Sequence, residues 1–92
     1  LGMEVQLHTA GPAHRHCMAA ITNTHFYELA LVRPDGAWNG LQPPIYADDY
    51  GDQMSDVGTD GCVSVPEGPG LGVQYDWDKI NAWETARIEF GP

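Results

Sequence analysis

The stretch EVQLHTAGPAHRHC, residues 4–17, joins a strand pattern to a helix pattern and places a histidine at the junction. Over residues 3–7 apolar and polar residues alternate, which is the period of a β-strand with one buried face. Gly11 and Pro12 follow, a pairing that is favoured at a helix cap and at the first helical position. The stretch therefore predicts a strand that ends near His8 and a helix that begins at Pro12.

A second apolar run, HFYELALV at residues 25–32, is nearly unbroken except at Glu28. Such a run is typical of a strand that is buried on both faces of a parallel sheet. Small and apolar residues recur between the two strands at helical spacing and predict one buried stripe: Ala13, Cys17, Ala20, Ile21 and Thr24. The order strand, helix, strand predicts a right-handed βαβ unit, and therefore an α/β fold. Cys17 lies within the stripe, and we expect Cys17 and Cys62 to be buried free thiols.

The rest of the chain, residues 33–92, is rich in turns, and the whole sequence holds 11 Gly and 7 Pro. The pieces IYADDY, CVSV and RIEF are too short to form a sheet without partners. Asp76 is a favoured N-cap for a helix predicted near residues 76–87. The acidic run YADDYGDQMSDVGTD lacks the spacing of a calcium-binding EF-hand loop and is predicted to be a solvated loop.

The charge balance excludes whole classes of partner. Thirteen acidic residues against four basic ones give a net charge of −9, which leaves no basic stripe for nucleic acid or for an anionic membrane. No apolar run approaches the roughly 18–20 residues that cross a bilayer, and no signal-peptide pattern is present. We therefore expect a cytoplasmic protein with neither a nucleic-acid nor a membrane partner. A chain of 92 residues is at most one small domain.

The remaining motifs give little support to common catalytic or metal sites. His14 and His16 are two positions apart on a predicted helix, so they face away from each other and do not form a zinc pair. Neither Ser55 nor Ser64 lies in the Gly-x-Ser-x-Gly turn of a nucleophilic serine. The tryptophans and tyrosines are expected to supply core area more often than a sugar-binding face.

His8 and Glu28 are the candidates that remain. Each lies at or near the end of one of two neighbouring parallel strands, where a barrel enzyme directs its catalytic groups into one cavity. Histidine suits proton transfer near neutral pH, and a buried glutamate can stay neutral and donate a hydrogen bond to an oxyanion. The structural alternatives are a histidine that caps a strand and a core carboxylate in an ion pair.

In order along nearly the whole chain, the sequence resembles the C-terminal end of the enolase superfamily, in the branch of mandelate racemase and the acid-sugar dehydratases. EVQLH resembles the seventh barrel strand with its catalytic histidine, AHRHCMAAITNT the following helix, and HFYELAL the eighth strand with its glutamate. VPEGPGLGVQYDWDKI resembles the Pro-Gly-Leu-Gly-Val passage that closes most of these proteins.

The resemblance implies a fold: the C-terminal portion of a (β/α)7β TIM-like barrel, comprising strand 7, helix 7, strand 8 and the tail. Residues 1–32 would be the last βαβ unit, and residues 33–92 a tail that packs on a capping domain. The chain would then be a fragment of a larger protein and not an independent domain. Its partners would be the remainder of the barrel and the capping domain, in a homo-oligomer.

The resemblance also implies an activity, the metal-dependent removal of a proton alpha to a carboxylate, most simply in an acid-sugar dehydratase or a racemase. His8 would be the general acid–base, and Glu28 would hydrogen-bond a carboxylate oxygen of the small acid substrate. Mg²⁺ would be bound by residues outside this chain, so that the chain alone would be inactive. The alternative is a small acidic module whose aromatic residues bind a carbohydrate or a protein without catalysis.

Overall fold

The structure, a computed structural model, describes residues 2–29 and 45–92. In these ranges the helices are α1 (Pro12–Ala20), a short 3-10 helix (Met54–Asp56) and α2 (Trp77–Ala82). Tyr46 and Tyr75 form an isolated antiparallel β-bridge, flanked by bonds from Ala47 N–H to Gln74 O (2.9 Å) and from Asp76 N–H to Ile45 O (2.7 Å). The other described residues form turns and irregular segments that connect these elements.

Helix α1 begins where the sequence predicts it to begin. Gly11 is the N-cap at a φ of 142°, a backbone angle that favours glycine, and Pro12 occupies the first helical position. The Arg15 N–H donates to Gly11 O at 3.0 Å and closes the first turn. The buried residues of the helix are Pro12 and Arg15.

The predicted buried stripe on α1 is wrong, since Ala13, Cys17 and Ala20 are exposed. Alanine and cysteine offer little apolar area, and in the described residues no sheet covers this face of the helix. The expected buried thiols are likewise wrong, because Cys17 and Cys62 are both free and exposed.

The predicted α/β fold, a (β/α)7β barrel portion with parallel strands at residues 2–7 and 25–32, is also wrong. Residues 2–7 and 25–29 contain no β-strand, and residues 30–32 lie outside the described part of the chain. A parallel strand depends on hydrogen-bonding neighbours and on helices over both faces of its sheet. The described residues supply neither, so the apolar pattern does not become a ladder.

The two segments nevertheless run side by side in the same direction. Glu4 contacts His25 near one end, and His8 contacts Glu28 near the other, so the sequence separations stay close to constant. Within the described ranges, the first segment makes one backbone hydrogen bond beside the second, from Val5 N–H to Asn23 O at 2.9 Å, in the connection between α1 and the second segment. This arrangement brings His8, which follows the first segment, beside Glu28 of the second segment, although the two segments form no sheet within the described ranges.

The tail holds a shorter helix than the pattern predicts near residues 76–87. Helix α2 spans Trp77–Ala82, and the Asp76 side chain caps it by accepting the Lys79 N–H at 3.0 Å. Of the predicted short strands, IYADDY contributes only the bridge residue Tyr46, whereas CVSV and RIEF form none. The turn-rich residues 33–44 lie outside the described part.

Little apolar surface is buried. Among the described residues Ala10 is the single buried hydrophobic side chain, whereas Phe26, Trp77 and Phe90 are 68%, 64% and 92% exposed. The accessible surface is 7188 Å², against about 5,200 Å² for a compact protein of this mass. No helix among the described residues is both long enough and apolar enough to cross a membrane. The interior is organised instead around the buried, charged Arg15.

Candidate functional site

The structure brings together the two residues that the sequence singles out. Nδ1 of His8 lies 3.1 Å from Oε2 of Glu28, although the residues are 20 positions apart. The contact leaves Nε2 as the ring nitrogen that can exchange a proton with another molecule, and the side chain of His8 is 87% exposed. A base that is oriented by a second polar group is a recurring catalytic arrangement. We call these two residues the His8–Glu28 pair.

Thr9 fixes the carboxylate from a second direction. Its backbone N–H donates to the same Oε2 of Glu28 at 3.1 Å. Thr9 has a φ of 73°, the one positive value at a non-glycine residue among those described. For a β-branched residue this conformation costs on the order of 1–3 kcal/mol and persists only where neighbouring contacts enforce it. The strain lies directly beside His8 and belongs to the turn that presents the imidazole.

Glu28 differs from the buried, neutral hydrogen-bond donor that we predicted. Its side chain is 42% exposed, and Oε2 accepts two hydrogen-bond contacts. The Thr9 N–H, followed by the contact with His8, lowers the pKa of Glu28 below its usual value, because both favour the charged form. Glu28 is therefore an ionised carboxylate at neutral pH, suited to orienting His8 and not to donating a proton.

The lowered pKa of Glu28 predicts a pH dependence. The contacts contribute stability that is fully present above the pKa of glutamate in an unfolded chain, about 4.3. That contribution is lost as the pH falls through the lower folded-state pKa, where Glu28 takes up a proton. In ¹³C NMR of carboxyl-labelled glutamate, we expect Glu28 to titrate below the ordinary range.

The Thr9 amide resonance provides an independent readout of this titration, because its N–H donates to the titrating oxygen. It should shift with the same midpoint as the Glu28 carboxyl carbon. The Glu28→Gln variant is the control, since it keeps a side-chain oxygen but removes the titration. A Glu28 midpoint in the ordinary range of glutamate, or a Thr9 amide that shifts equally in the control, would contradict the geometry.

A second set of interacting polar side chains, which the sequence did not reveal, includes Tyr27, the residue before Glu28. Arg15, Tyr27, Tyr50 and Asp52 form what we call the Arg15 cluster. Asp52 Oδ1 accepts Arg15 Nη2 at 2.8 Å and the Tyr27 hydroxyl at 2.6 Å, while Oδ2 accepts the Tyr50 hydroxyl at 2.8 Å. The Arg15 and Asp52 side chains are only 6% and 8% exposed. The guanidinium lies over the Tyr50 ring, 4.4 Å from its centroid.

Arg15 also binds the backbone of the tail and so joins α1 to it. Nη1 donates to Ser64 O at 2.9 Å, and Nη2 donates to Gly51 O. Its buried Nε has no hydrogen-bond partner among the described residues. Burial alone would lower the pKa of Arg15, but its interactions with Tyr27 and Asp52 outweigh burial and raise that pKa. The guanidinium is therefore charged at every accessible pH and holds Asp52 in place.

The tyrosines of this region remain neutral donors. Burial, together with the hydrogen bond to Asp52, raises the pKa of Tyr27 and of Tyr50 above the ordinary value. Burial likewise raises the pKa of the neighbouring Tyr46 to about 12, with the charge of Asp52 and the other tyrosines adding to it. The Tyr27 hydroxyl therefore stays protonated near neutral pH and donates a hydrogen bond to Asp52.

Sequence reasoning missed the Arg15 cluster because it placed Asp52 in a solvated acidic run. Asp48 and Asp49 of that run are exposed, as predicted, but Asp52 is not. The available signal was the scarcity of cations: with four basic residues among thirteen acidic ones, a helical arginine is more readily paired than solvated. The ratio of basic to acidic residues does not predict which acidic residue is the partner of Arg15.

The resemblance places the Mg²⁺ ligands outside this chain. Within residues 2–29 and 45–92, no group of three or more histidine, cysteine, aspartate or glutamate side chains is placed to hold a metal ion. Three cavities, of about 420, 440 and 270 Å³, lie among these residues, and neither His8 nor Glu28 lines any of them.

The other histidines make different contacts. His25 Nε2 lies 3.2 Å from Glu4 Oε1, with both side chains about 60% exposed. His16 Nε2 lies 2.8 Å from Leu71 O and ties α1 to the glycine-rich passage of the tail. His25 thus forms a second histidine–glutamate contact on the same two segments.

Comparisons with protein-family models, with curated proteins and with solved structures found no match to this chain. The His8–Glu28 pair and the residues that hold it are the features of this chain that bear on its function.

Proposed function

We propose that the intact protein is an enzyme that removes the proton alpha to the carboxylate of a small acid, with His8 as its general acid–base. An acid sugar that then loses water is the substrate class we favour, in line with the resemblance to the acid-sugar dehydratases. The observation that carries the proposal is the 3.1 Å contact between His8 Nδ1 and Glu28 Oε2.

In the proposed reaction, the Nδ1–H of His8 donates to ionised Glu28, so that Nε2 has the free electron pair that accepts the substrate α-proton. The Cα–H bond breaks, its electron pair moves into the substrate carboxylate to give an enediolate, and His8 becomes an imidazolium beside Glu28. His8 then returns the proton to the β-hydroxyl, the C–O bond breaks, and water leaves. The remaining enol rearranges to a 2-keto acid, which balances the atoms of substrate, product and water.

Three properties of the pair support this role. A carboxylate at Nδ1 selects the tautomer and stabilises the imidazolium that forms during proton transfer. The 87% exposure of the His8 side chain leaves the imidazole accessible to a substrate. The Thr9 N–H holds the Glu28 oxygen in place from a second direction, which limits movement of the pair.

The rest of the proposed active site lies outside the described residues. They supply an acid–base pair that lines none of the three cavities described above, and no group of three or more ligands for a metal ion. In the proposal, Mg²⁺ and the pocket for the acid come from other parts of the intact protein. The extensive exposed apolar surface is consistent with contact to such parts.

Exchange of the α-proton with solvent tests the proposal directly. We expect the intact protein, in D₂O, to exchange the α-proton of at least one member of a panel of sugar acids and 2-hydroxy acids, or to convert it to a 2-keto acid. Proton NMR detects both events in one sample. The same panel with Glu28→Gln should react more slowly, because that variant removes the charge that orients His8.

The alternative function makes the opposite prediction. A carbohydrate- or protein-binding module would leave every α-proton in place and would bind its partner without metal. Failure of the whole panel to exchange or react, together with metal-independent binding of a carbohydrate, would replace the proposed enzyme by that module.

A further inference from the structure

The turn that carries His8 is held at two points by two consecutive residues of the second segment. Glu28 binds Thr9 and His8, as described above. Tyr27, the residue before it, accepts the Gly11 N–H on its hydroxyl oxygen at 2.8 Å. Because Gly11 is also the N-cap of α1, the Tyr27 hydroxyl fixes the point at which the turn enters the helix.

Tyr27 is itself held by two other residues of the Arg15 cluster. Its hydroxyl donates to Asp52 Oδ1 at 2.6 Å, and the Arg15 guanidinium lies 5.2 Å from the centroid of its ring. Arg15 lies one turn into α1, and its Nη2 binds the same carboxylate oxygen as Tyr27. The first turn of α1 is thus fixed twice to Asp52, once through Arg15 and once through Tyr27 and Gly11.

We propose that Tyr27 is a positioning residue for the His8–Glu28 pair, which it holds in register by binding the Gly11 N–H while donating to Asp52. The proposal rests on the proposed function, because a positioning role presupposes that the pair performs chemistry. Tyr27 does not touch the reacting groups, and its effect passes through the turn of residues 8–11. The strained φ of Thr9 makes this turn sensitive, since a strained residue relaxes when a neighbouring restraint is removed.

Tyr27→Phe and Tyr50→Phe form a matched pair of variants for the test. Each removes one hydroxyl that donates to Asp52, but only the Tyr27 hydroxyl also accepts the Gly11 N–H. A purely structural role in the Arg15 cluster would therefore affect both variants alike. A positioning role would affect the His8–Glu28 pair in Tyr27→Phe alone.

The first readout is the titration midpoint of the Glu28 carboxyl carbon in the intact protein. We expect Tyr27→Phe to move it upward, towards the ordinary range of glutamate, as Thr9 and His8 move away, and Tyr50→Phe to leave it unchanged. An unchanged midpoint in Tyr27→Phe, or equal shifts in the two variants, would overturn the proposal. If Tyr27→Phe does not fold, fluorinated tyrosine at position 27 weakens the oxygen as an acceptor and is expected to cause a smaller upward shift.

The second readout is the steady-state kinetics on the acid found by the exchange assay. Misplacement of a catalytic group by about 1 Å can cost about 10²-fold in rate, so we expect Tyr27→Phe to lower kcat about 10- to 100-fold with little change in KM. The NMR readout requires no turnover, which keeps the two proposals separable. An upward Glu28 midpoint combined with full activity of a variant that lacks the His8 imidazole would remove the proposed function and, with it, the positioning role, and would leave only a structural coupling of Tyr27 to the His8–Glu28 pair.

Discussion

His8→Asn is expected to reduce turnover by the intact protein about 10²- to 10⁴-fold, the range that a positioned general acid–base contributes. Asparagine has similar reach and can still donate a hydrogen bond to Glu28 from its amide nitrogen, so the contact that holds the turn has a substitute. It cannot accept and return a proton, because its amide does not titrate. The measurement is kcat on the acid identified by α-proton exchange, with circular dichroism and metal content checked against the parent protein.

His25→Asn provides the matched control. His25 also lies beside a glutamate, at 3.2 Å from Glu4, on the same two segments. It differs in that the strained Thr9 donates its backbone N–H to Glu28, the partner of His8. We expect turnover within about twofold of the parent, as for an exposed ion pair of small energetic weight. If His8→Asn kept parental turnover, or if both variants lost it equally, His8 would not be the acid–base group.

The features that could be predicted from the sequence are those that depend on adjacent residues. Gly11 and Pro12 set the start of α1, and Asp76 sets the start of α2, because a cap acts within one turn of its helix. Such local signals need no knowledge of the rest of the fold.

The strands could not be predicted with the same security, because a strand exists through its neighbours. The alternation in residues 3–7 is a genuine strand pattern, yet the segment makes one backbone bond to the residues after α1 and forms no ladder within the described ranges. The described residues 25–29 of the second apolar run likewise form no strand. Periodicity reports which face a segment could bury, and it does not supply the surface against which to bury it.

The candidate site divides in the same way. The sequence picks out His8 and Glu28 by residue type and position, and the structure brings them to 3.1 Å. The sequence does not indicate that Glu28 is exposed and ionised, because both properties depend on the residues around Glu28 in the folded chain. Nor does it identify Asp52 as the partner of Arg15, a pairing across 37 positions that no local pattern encodes.

Asp52→Ala is expected to destabilise the Arg15 cluster by about 3–5 kcal/mol, the usual cost of removing one partner from a buried ion pair. The variant leaves the guanidinium of Arg15, only 6% exposed, without its carboxylate. It also removes the acceptor of the Tyr27 and Tyr50 hydroxyls, and a buried unpaired polar group carries its own penalty. Because α1 is joined to the tail through Arg15, we expect the α1 amides to exchange with solvent about 10²- to 10³-fold faster.

A control variant and a double variant distinguish the effect of breaking the buried Arg15–Asp52 pair from the effect of removing any acidic side chain. Asp49→Ala removes an exposed aspartate of the same run and should change stability by no more than about 0.5 kcal/mol. Arg15→Met combined with Asp52→Ala should cost less than the sum of the two single changes, since neither charge is then left buried alone. Equal exchange rates for Asp52→Ala and Asp49→Ala, or strictly additive single effects, would mean that Arg15 and Asp52 are not coupled. A non-additive effect of the expected size would instead show that the Arg15–Asp52 pair, and not an apolar core, joins α1 to the tail.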